Sequence, residues 1–124
     1  MGTRKALDGN AAIAYGVMRS QVQLVAAYPI TPQTPIVETI SSLIDTGQYN
    51  AAYITVESEH SALSALIGAA SAGVRTFTAS ASHGLALMHE VTGVASASRL
   101  PIVMAVVSRA IPGPMCLWCD HSDI

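Results

Sequence analysis

Four short, mostly apolar runs punctuate the chain at residues 22–27, 53–56, 75–78 and 102–107. Their hydrophobic positions are nearly continuous instead of alternating, the pattern of strands covered on both faces of a parallel sheet. Between them the apolar period changes to that of a helix. Residues 31–45 place Ile36, Ile40, Leu43 and Ile44 on one stripe and end before Gly47. "EHSALSALIGAAS", residues 59–71, keeps Leu63, Leu66 and Ile67 on one side and stops before Gly73, which suits the left-handed position after a helix. A further helix is expected over "HGLALMHEVTGVASAS", residues 83–98, and a first one over residues 8–19. Strands alternating with helices predict parallel α/β units in a layered sandwich. The 124 residues suffice for one core, so residues 1–124 read as one domain. It ends at "CDHSDI" without a closing helix, which predicts that the domain is truncated.

Composition adds one thing to this picture. Hydrophobic residues make up 51% of the chain and charged residues only 11%, which predicts that part of the surface faces a partner subunit. Six basic and eight acidic side chains give a net charge of -2, and no run of Lys or Arg favours nucleic acid or an anionic membrane. The longest apolar run, "LPIVMAVV", is far below the roughly 20 residues that span a bilayer. The N-terminal residues lack the apolar core and cleavage site of a signal peptide, and "MGTRKA" does not fit a myristoylation signal. Two cysteines make no disulfide framework, so a reducing, cytoplasmic setting is expected.

In open α/β sheets, ligands sit beyond the carboxyl ends of the strands. That rule gathers "YPITP", "ESEHS", "ASASHG" and "SRAIPGP" at one edge, and with them Tyr28, Thr31, Glu57, Glu59, Ser80, Ser82, His83 and Arg109. A carboxylate, an arginine and hydroxyls in an apolar setting suit a small anionic substrate. Each residue also has a plain structural explanation. Pro29 and Pro32 stiffen the backbone around Thr31, which holds a hydroxyl at a helix start where the dipole favours an anion. Thr31 serves equally as an N-cap followed by Pro32 at the first helical position. Glu57 and Glu59 alternate at the end of the second strand, so one faces solvent or a helix and the other the cleft; a carboxylate at a helix N-terminus needs no further role. Arg109 emerges at the end of the fourth strand, its fork suited to a substrate carboxylate or to an ion pair with one of those glutamates.

Other motifs are excluded by what they lack. Cys116 and Cys119 form a single C-x-x-C with no second pair for zinc or an iron–sulfur cluster, in a Pro/Gly-rich stretch unlike a thioredoxin motif; two buried thiols are the expectation, and no metal site is assigned. "MHEVTG" lacks the second histidine of a zinc-protease helix, and "SASHG" the first glycine of a nucleophile elbow. Neither a dinucleotide-binding glycine motif nor a P-loop occurs.

Three stretches, "AAYPITPQTPIVE", "TVESEHSALSALIGAASAGVRTFTASASHGLALMHE" and "LPIVMAVVSRAI" with the later "DHSD", together resemble the N-terminal part of the α subunit of pyruvate:ferredoxin oxidoreductase and its 2-oxoacid:ferredoxin relatives. The resemblance runs from about Gly9 to Asp123, with the motifs in order. It implies the three-layer, parallel-sheet pyrimidine-binding domain of thiamine diphosphate enzymes. It also implies oxidative decarboxylation of pyruvate to acetyl-CoA and CO2, with coenzyme A taking the acyl group and electrons passing to ferredoxin. By the same resemblance Tyr28 and Pro29 lie near the cofactor, and Thr31 offers its hydroxyl to the 2-oxo acid. Glu59 matches the glutamate at N1′ of the aminopyrimidine, where a carboxylate favours the imino tautomer. Arg109 matches the arginine that holds the substrate carboxylate.

The resemblance also assigns parts to other chains. The Gly-Asp-Gly…Asn motif for the diphosphate and Mg2+ is absent from this sequence, as are cluster cysteines. A β subunit is therefore expected to share the thiamine diphosphate and carry Mg2+, and [4Fe-4S] clusters are expected on partner chains of a complex that also holds γ and δ subunits. His83 departs from the family pattern, which often has a glutamine there. Branched-chain or aryl 2-oxo acids are alternatives to pyruvate. From other classes, a non-catalytic α/β binding module and a thiamine-dependent transferase share the fold.

Overall fold

The computed structural model describes residues 4–111 and 117–124. Its elements follow one another as α1 (Gly9–Arg19), β1 (Leu24–Ala27), α2 (Thr34–Asp45), β2 (Ala52–Thr55), α3 (Glu59–Ser71), β3 (Thr76–Ser80), α4 (Ser82–Leu87), α5 (His89–Ala97) and β4 (Ile102–Val106). The four strands form one parallel sheet in the order β2-β1-β3-β4. The chain steps outward from β1 to β2 and then crosses back to the other side of β1. The strand order therefore reverses between β1 and β3, and the ends of these two strands flank the crevice that such a reversal opens.

Alternation along each strand divides the core into two layers. Val25 and Ala27 of β1 and Phe77 and Ala79 of β3 pack with Ala14 and Val17 of α1 and with Ile36, Val37, Ile40 and Leu43 of α2. On the opposite face Ala26 meets Ala62 and Leu66 of α3, while Leu63 joins Met88, between α4 and α5, and Val91 of α5 against Ile102 and Met104 of β4. Helices thus cover both faces, giving three layers. Coverage is incomplete at β4, where Val103 remains 63% exposed. There an apolar groove of about 350 Å3 opens between α1 and the strand, lined by Ile13, Val17, Phe77, Val103 and Ala105 among others. Among the described residues no helix is long and apolar enough to cross a membrane.

Local chemistry explains most element ends. The Asp8 carboxylate accepts from the Ala11 amide (2.7 Å) and caps α1, and the Ser58 hydroxyl accepts from the Ser61 amide (3.1 Å) and caps α3. Gly73 sits at φ +84° just beyond α3, where a side chain would be strained.

Three expectations need correction. The second helix begins at Thr34, not residue 31, and Thr31 is not its N-cap. Pro35 has no N–H to bond back to the Thr31 carbonyl, so a helix starting at residue 31 would leave that oxygen unpaired. The carbonyl accepts instead from the Arg109 guanidinium (2.7 Å). The helix expected over residues 83–98 is two helices, broken at Met88, whose ψ of -2° lies far from the helical value. The break turns Met88 fully into the core beside Leu63. Cys119 is a free, exposed thiol, not a buried one, and Cys116 lies outside the described residues.

Candidate functional site

The turn after β1 is the best-tied segment at the carboxyl edge of the sheet. Gln33 is fully buried, and instead of capping α2 its amide donates to the Tyr28 carbonyl (2.7 Å). Asn10, from α1, donates to the Pro32 carbonyl (3.1 Å), and Arg109 Nη1 to the Thr31 carbonyl (2.7 Å). Three side-chain donors from three parts of the chain thus hold three carbonyls of one short turn, while Pro29 and Pro32 restrict its backbone. The peptide between Thr31 and Pro32 is cis. The side chains of Tyr28, Pro29 and Thr31 remain exposed on this fixed frame.

Glu59 occupies the first turn of α3 and is only 7% exposed. Its companion Glu57 is exposed, and accepts from the Ser61 hydroxyl (2.7 Å). That bond, chiefly, holds the Glu57 carboxyl below its ordinary value. No donor to the Glu59 carboxylate is found among the described residues. What surrounds Glu59 is unusually close. A Cβ built on Gly84 of α4 would lie 2.7 Å from Glu59 Oε1 and 2.8 Å from Glu59 Cγ, and closer still to Ser80 Oγ. Only glycine lets the α4 backbone approach the carboxylate in this way. The Ser80 hydroxyl, at the end of β3, is itself fully buried and has no hydrogen-bond partner among the described residues.

Arg109 is 6% exposed and follows β4. It pairs with neither Glu57 nor Glu59 among the described residues, which removes the ion-pair explanation for it. Nη1 is engaged by Thr31, whereas Nε is buried without a partner among the described residues. Its main chain is held firmly: Arg109 N donates to Asp123 Oδ2 (3.2 Å), and the Arg109 carbonyl accepts from the Ser82 hydroxyl. Asp123 Oδ2 also accepts from the Ser82 amide (3.1 Å) and lies 2.8 Å from Ser82 Oγ, whose single proton is shared between it and the Arg109 carbonyl. Burial by itself raises the Asp123 carboxyl, but hydrogen bonds from the Ser82 hydroxyl, the Arg109 amide, the Ser108 hydroxyl and the Ser82 amide outweigh it and leave the group below its ordinary value.

The expected residues therefore fall into two groups at one edge of the sheet. Thr31 and Arg109 touch directly, through the Thr31 carbonyl and not its hydroxyl. Glu59 stands with Ser80 and Gly84, with no hydrogen bond to the first group among the described residues. His83 is exposed at the start of α4. Gln33, Gly84 and Asp123 are site residues that the sequence motifs did not single out. Gln33 lies between two prolines in "TPQTP", the one side-chain amide of that turn, and that was its one visible signal.

The donor set suits thiamine diphosphate in one specific respect. A nearly buried carboxylate beside a buried hydroxyl, each without a partner among the described residues, with a glycine keeping the neighbouring backbone clear, can accept a hydrogen bond from a ring N–H. The anionic diphosphate finds no matching cationic cradle near Glu59 among the described residues.

Residues 15–124 match the family model described as "Pyruvate flavodoxin/ferredoxin oxidoreductase, thiamine diP-bdg". The chain is 54% identical over 119 residues to pyruvate synthase subunit PorA of Methanocaldococcus jannaschii, covering 96% of this chain and 31% of that one. It is 53% identical over 120 residues to ketoisovalerate oxidoreductase subunit VorA of Pyrococcus furiosus, covering 97% of this chain and 30% of the relative. Among solved structures, 2-oxoglutarate:ferredoxin oxidoreductase from Magnetococcus marinus, with 2-oxoglutarate, coenzyme A and succinyl-CoA bound, superposes with a TM-score of 0.80 at 30% identity, over 86% of this chain and 18% of that one. The chain thus spans about a third of the length of these curated relatives. With the sheet, the edge and the matched residues in agreement, the chain belongs to the thiamine diphosphate-binding family of the pyruvate flavodoxin/ferredoxin oxidoreductases.

Proposed function

We propose that this chain supplies the aminopyrimidine side of the active site in a thiamine diphosphate-dependent 2-oxoacid:ferredoxin oxidoreductase, with pyruvate as substrate. The observation that carries the reading is Glu59, a nearly buried carboxylate with no donor among the described residues and pressed against Gly84. A carboxylate in that state is poised to hold a proton at N1′ of the cofactor's aminopyrimidine. When bound, the cofactor supplies an electron sink for loss of CO2. The chain's own residues do the rest of the positioning. Arg109 binds the substrate carboxylate through its Nε edge, which has no partner among the described residues, since a planar guanidinium can engage two oxygens at once. Thr31, on a turn fixed by Gln33, Asn10 and Arg109, presents its hydroxyl to the 2-oxo group, and Tyr28 and Pro29 line the cofactor side.

Partner chains complete the site in this reading. A β subunit brings the diphosphate and Mg2+ site, further subunits bring iron–sulfur clusters, and ferredoxin takes the electrons. The naming of the relatives as subunits supports this division, and so does the apolar face of β4, which lacks a covering helix among the described residues. The near-equal identity to PorA and VorA relatives favours one second reading, a branched-chain 2-oxo acid in place of pyruvate.

The test is viologen reduction by the assembled, anaerobically purified complex with coenzyme A, offered pyruvate, 2-oxoisovalerate, 2-oxoglutarate or phenylglyoxylate. Reduction with pyruvate is expected, and Glu59→Gln should lower turnover at least about a hundredfold. No reduction with any acid, in a complex containing thiamine diphosphate and clusters, would refute the proposal.

A further inference from the structure

Arg109 lies three residues beyond the end of β4, in an irregular segment, so nothing in regular structure fixes its guanidinium. A side chain with so many rotatable bonds holds one geometry only if its backbone and its head are both anchored. The head is anchored on the Thr31 carbonyl. The backbone anchor comes from two residues remote in sequence. Pairing of Ser80 with Val106, followed by the Val107 amide donating to the Ser80 carbonyl (2.9 Å), brings the start of α4 alongside the segment that holds Arg109. There Ser82 and Asp123 close around it. Both are buried, and one carboxylate oxygen, Asp123 Oδ2, takes the amides of Arg109 and Ser82 together. The Ser82 hydroxyl adds the Arg109 carbonyl to the same cluster.

We propose that Ser82 and Asp123 are positioning residues for substrate binding: they clamp the Arg109 main chain so that its guanidinium meets the 2-oxo acid carboxylate in one orientation. Neither touches substrate. Ser82 is the residue that makes the clamp economical, since its amide, its hydroxyl and its place at the start of α4 tie β3, Arg109 and Asp123 at one point. The burial of the cluster means that the loss of either member leaves donors that water cannot readily satisfy. This inference rests on the reading of Arg109 as the carboxylate-binding residue.

The experiment uses the assembled complex and compares Ser82→Ala, Asp123→Asn, Arg109→Lys and the double variant Arg109→Lys/Asp123→Asn by steady-state viologen reduction. Ser82→Ala and Asp123→Asn should each raise the KM for the 2-oxo acid about ten- to a hundredfold while leaving the KM for coenzyme A unchanged. In the Arg109→Lys background Asp123→Asn should add nothing, because it acts only through Arg109. If the Asp123 variant fails to assemble, Ser82→Ala, which removes one oxygen atom, carries the test. An unchanged 2-oxo acid KM in Ser82→Ala or Asp123→Asn, a parallel rise in both KM values, or full additivity with Arg109→Lys would overturn the inference while leaving Arg109's role intact. If Arg109→Lys itself leaves the 2-oxo acid KM unchanged, the substrate-binding reading of Arg109 fails, and the inference falls with it.

Discussion

Gly84→Ala is the smallest change that tests how closely Glu59 is held. The added methyl would stand 2.8 Å from Glu59 Cγ, where ordinary carbon–carbon contact lies about 3.5–4.0 Å, so one of the two must retreat by roughly 0.7–1.2 Å. Ser80, the other neighbour, is on a central strand and fully buried, and cannot yield. Alanine in place of glycine gains up to about 1 kcal/mol of helix propensity, against about 1–3 kcal/mol for overpacking a filled site. The net effect is a destabilisation of about 1 kcal/mol, which a folded complex tolerates. The effect on the reaction is larger: on the role proposed for Glu59, displacing its carboxylate by about 1 Å should reduce kcat/KM about a hundredfold. The assay is 2-oxo acid-dependent viologen reduction, with amide exchange of α3 and α4 as the measure of structure. Gly68→Ala is the matched control, since a Cβ there meets nothing within 4 Å and the change should stabilise α3 by up to about 1 kcal/mol without loss of rate. A Gly84→Ala enzyme with kcat/KM within about twofold of the parent would show that the close approach to Glu59 does not constrain catalysis.

Three further outcomes are expected. Ser58→Ala removes the cap of α3 and should speed amide exchange in its first turn by the equivalent of about 1 kcal/mol, one residue from Glu59. Tyr49→Phe deletes the bond from the Tyr49 hydroxyl to the Val22 carbonyl (2.5 Å) and should loosen the start of β1 by about 1–2 kcal/mol in the same assay. Burial raises the Tyr49 hydroxyl above its ordinary 10.0, so its contribution is complete below that pH and is lost as pH rises through the raised value; the difference between parent and Tyr49→Phe should shrink over that range. Asp123 titrates in the opposite sense. Its folded value lies below the ordinary 3.8, so the clamp contributes fully above that pH and is lost as pH falls through the lowered value. Protection of the Ser82 and Arg109 amides should fall on acidification in the parent and not in Asp123→Asn.

The pattern of legible and illegible features follows from the range of the interactions that set them. The bounds of α3 could be read from an apolar stripe and a glycine two residues past its end, all local in the chain, and they coincide with the observed Glu59–Ser71. The start of α2 could not. Its apparent cap, Thr31, gives its carbonyl to Arg109, 78 residues away, and the first helical turn follows only after that carbonyl and the next have found donors outside the helix. The break at Met88 is likewise set by a residue entering the core between α3 and β4, which no period within "HGLALMHEVTG" encodes. The candidate site divides in the same way. Thr31, Glu59 and Arg109 lie next to strand ends, where the rule for parallel sheets locates ligands, so position in the chain was enough to nominate them. Asp123 sits 41 residues from Ser82 and in no element, and its value to the site exists only once the strand order β2-β1-β3-β4 has brought the two together. Residues that contact a ligand carry the chemistry in their own side-chain type and can be nominated from it. Those that orient them are chosen by the fold, so an aspartate or a glutamine that supports a site looks like any other until its partners are known.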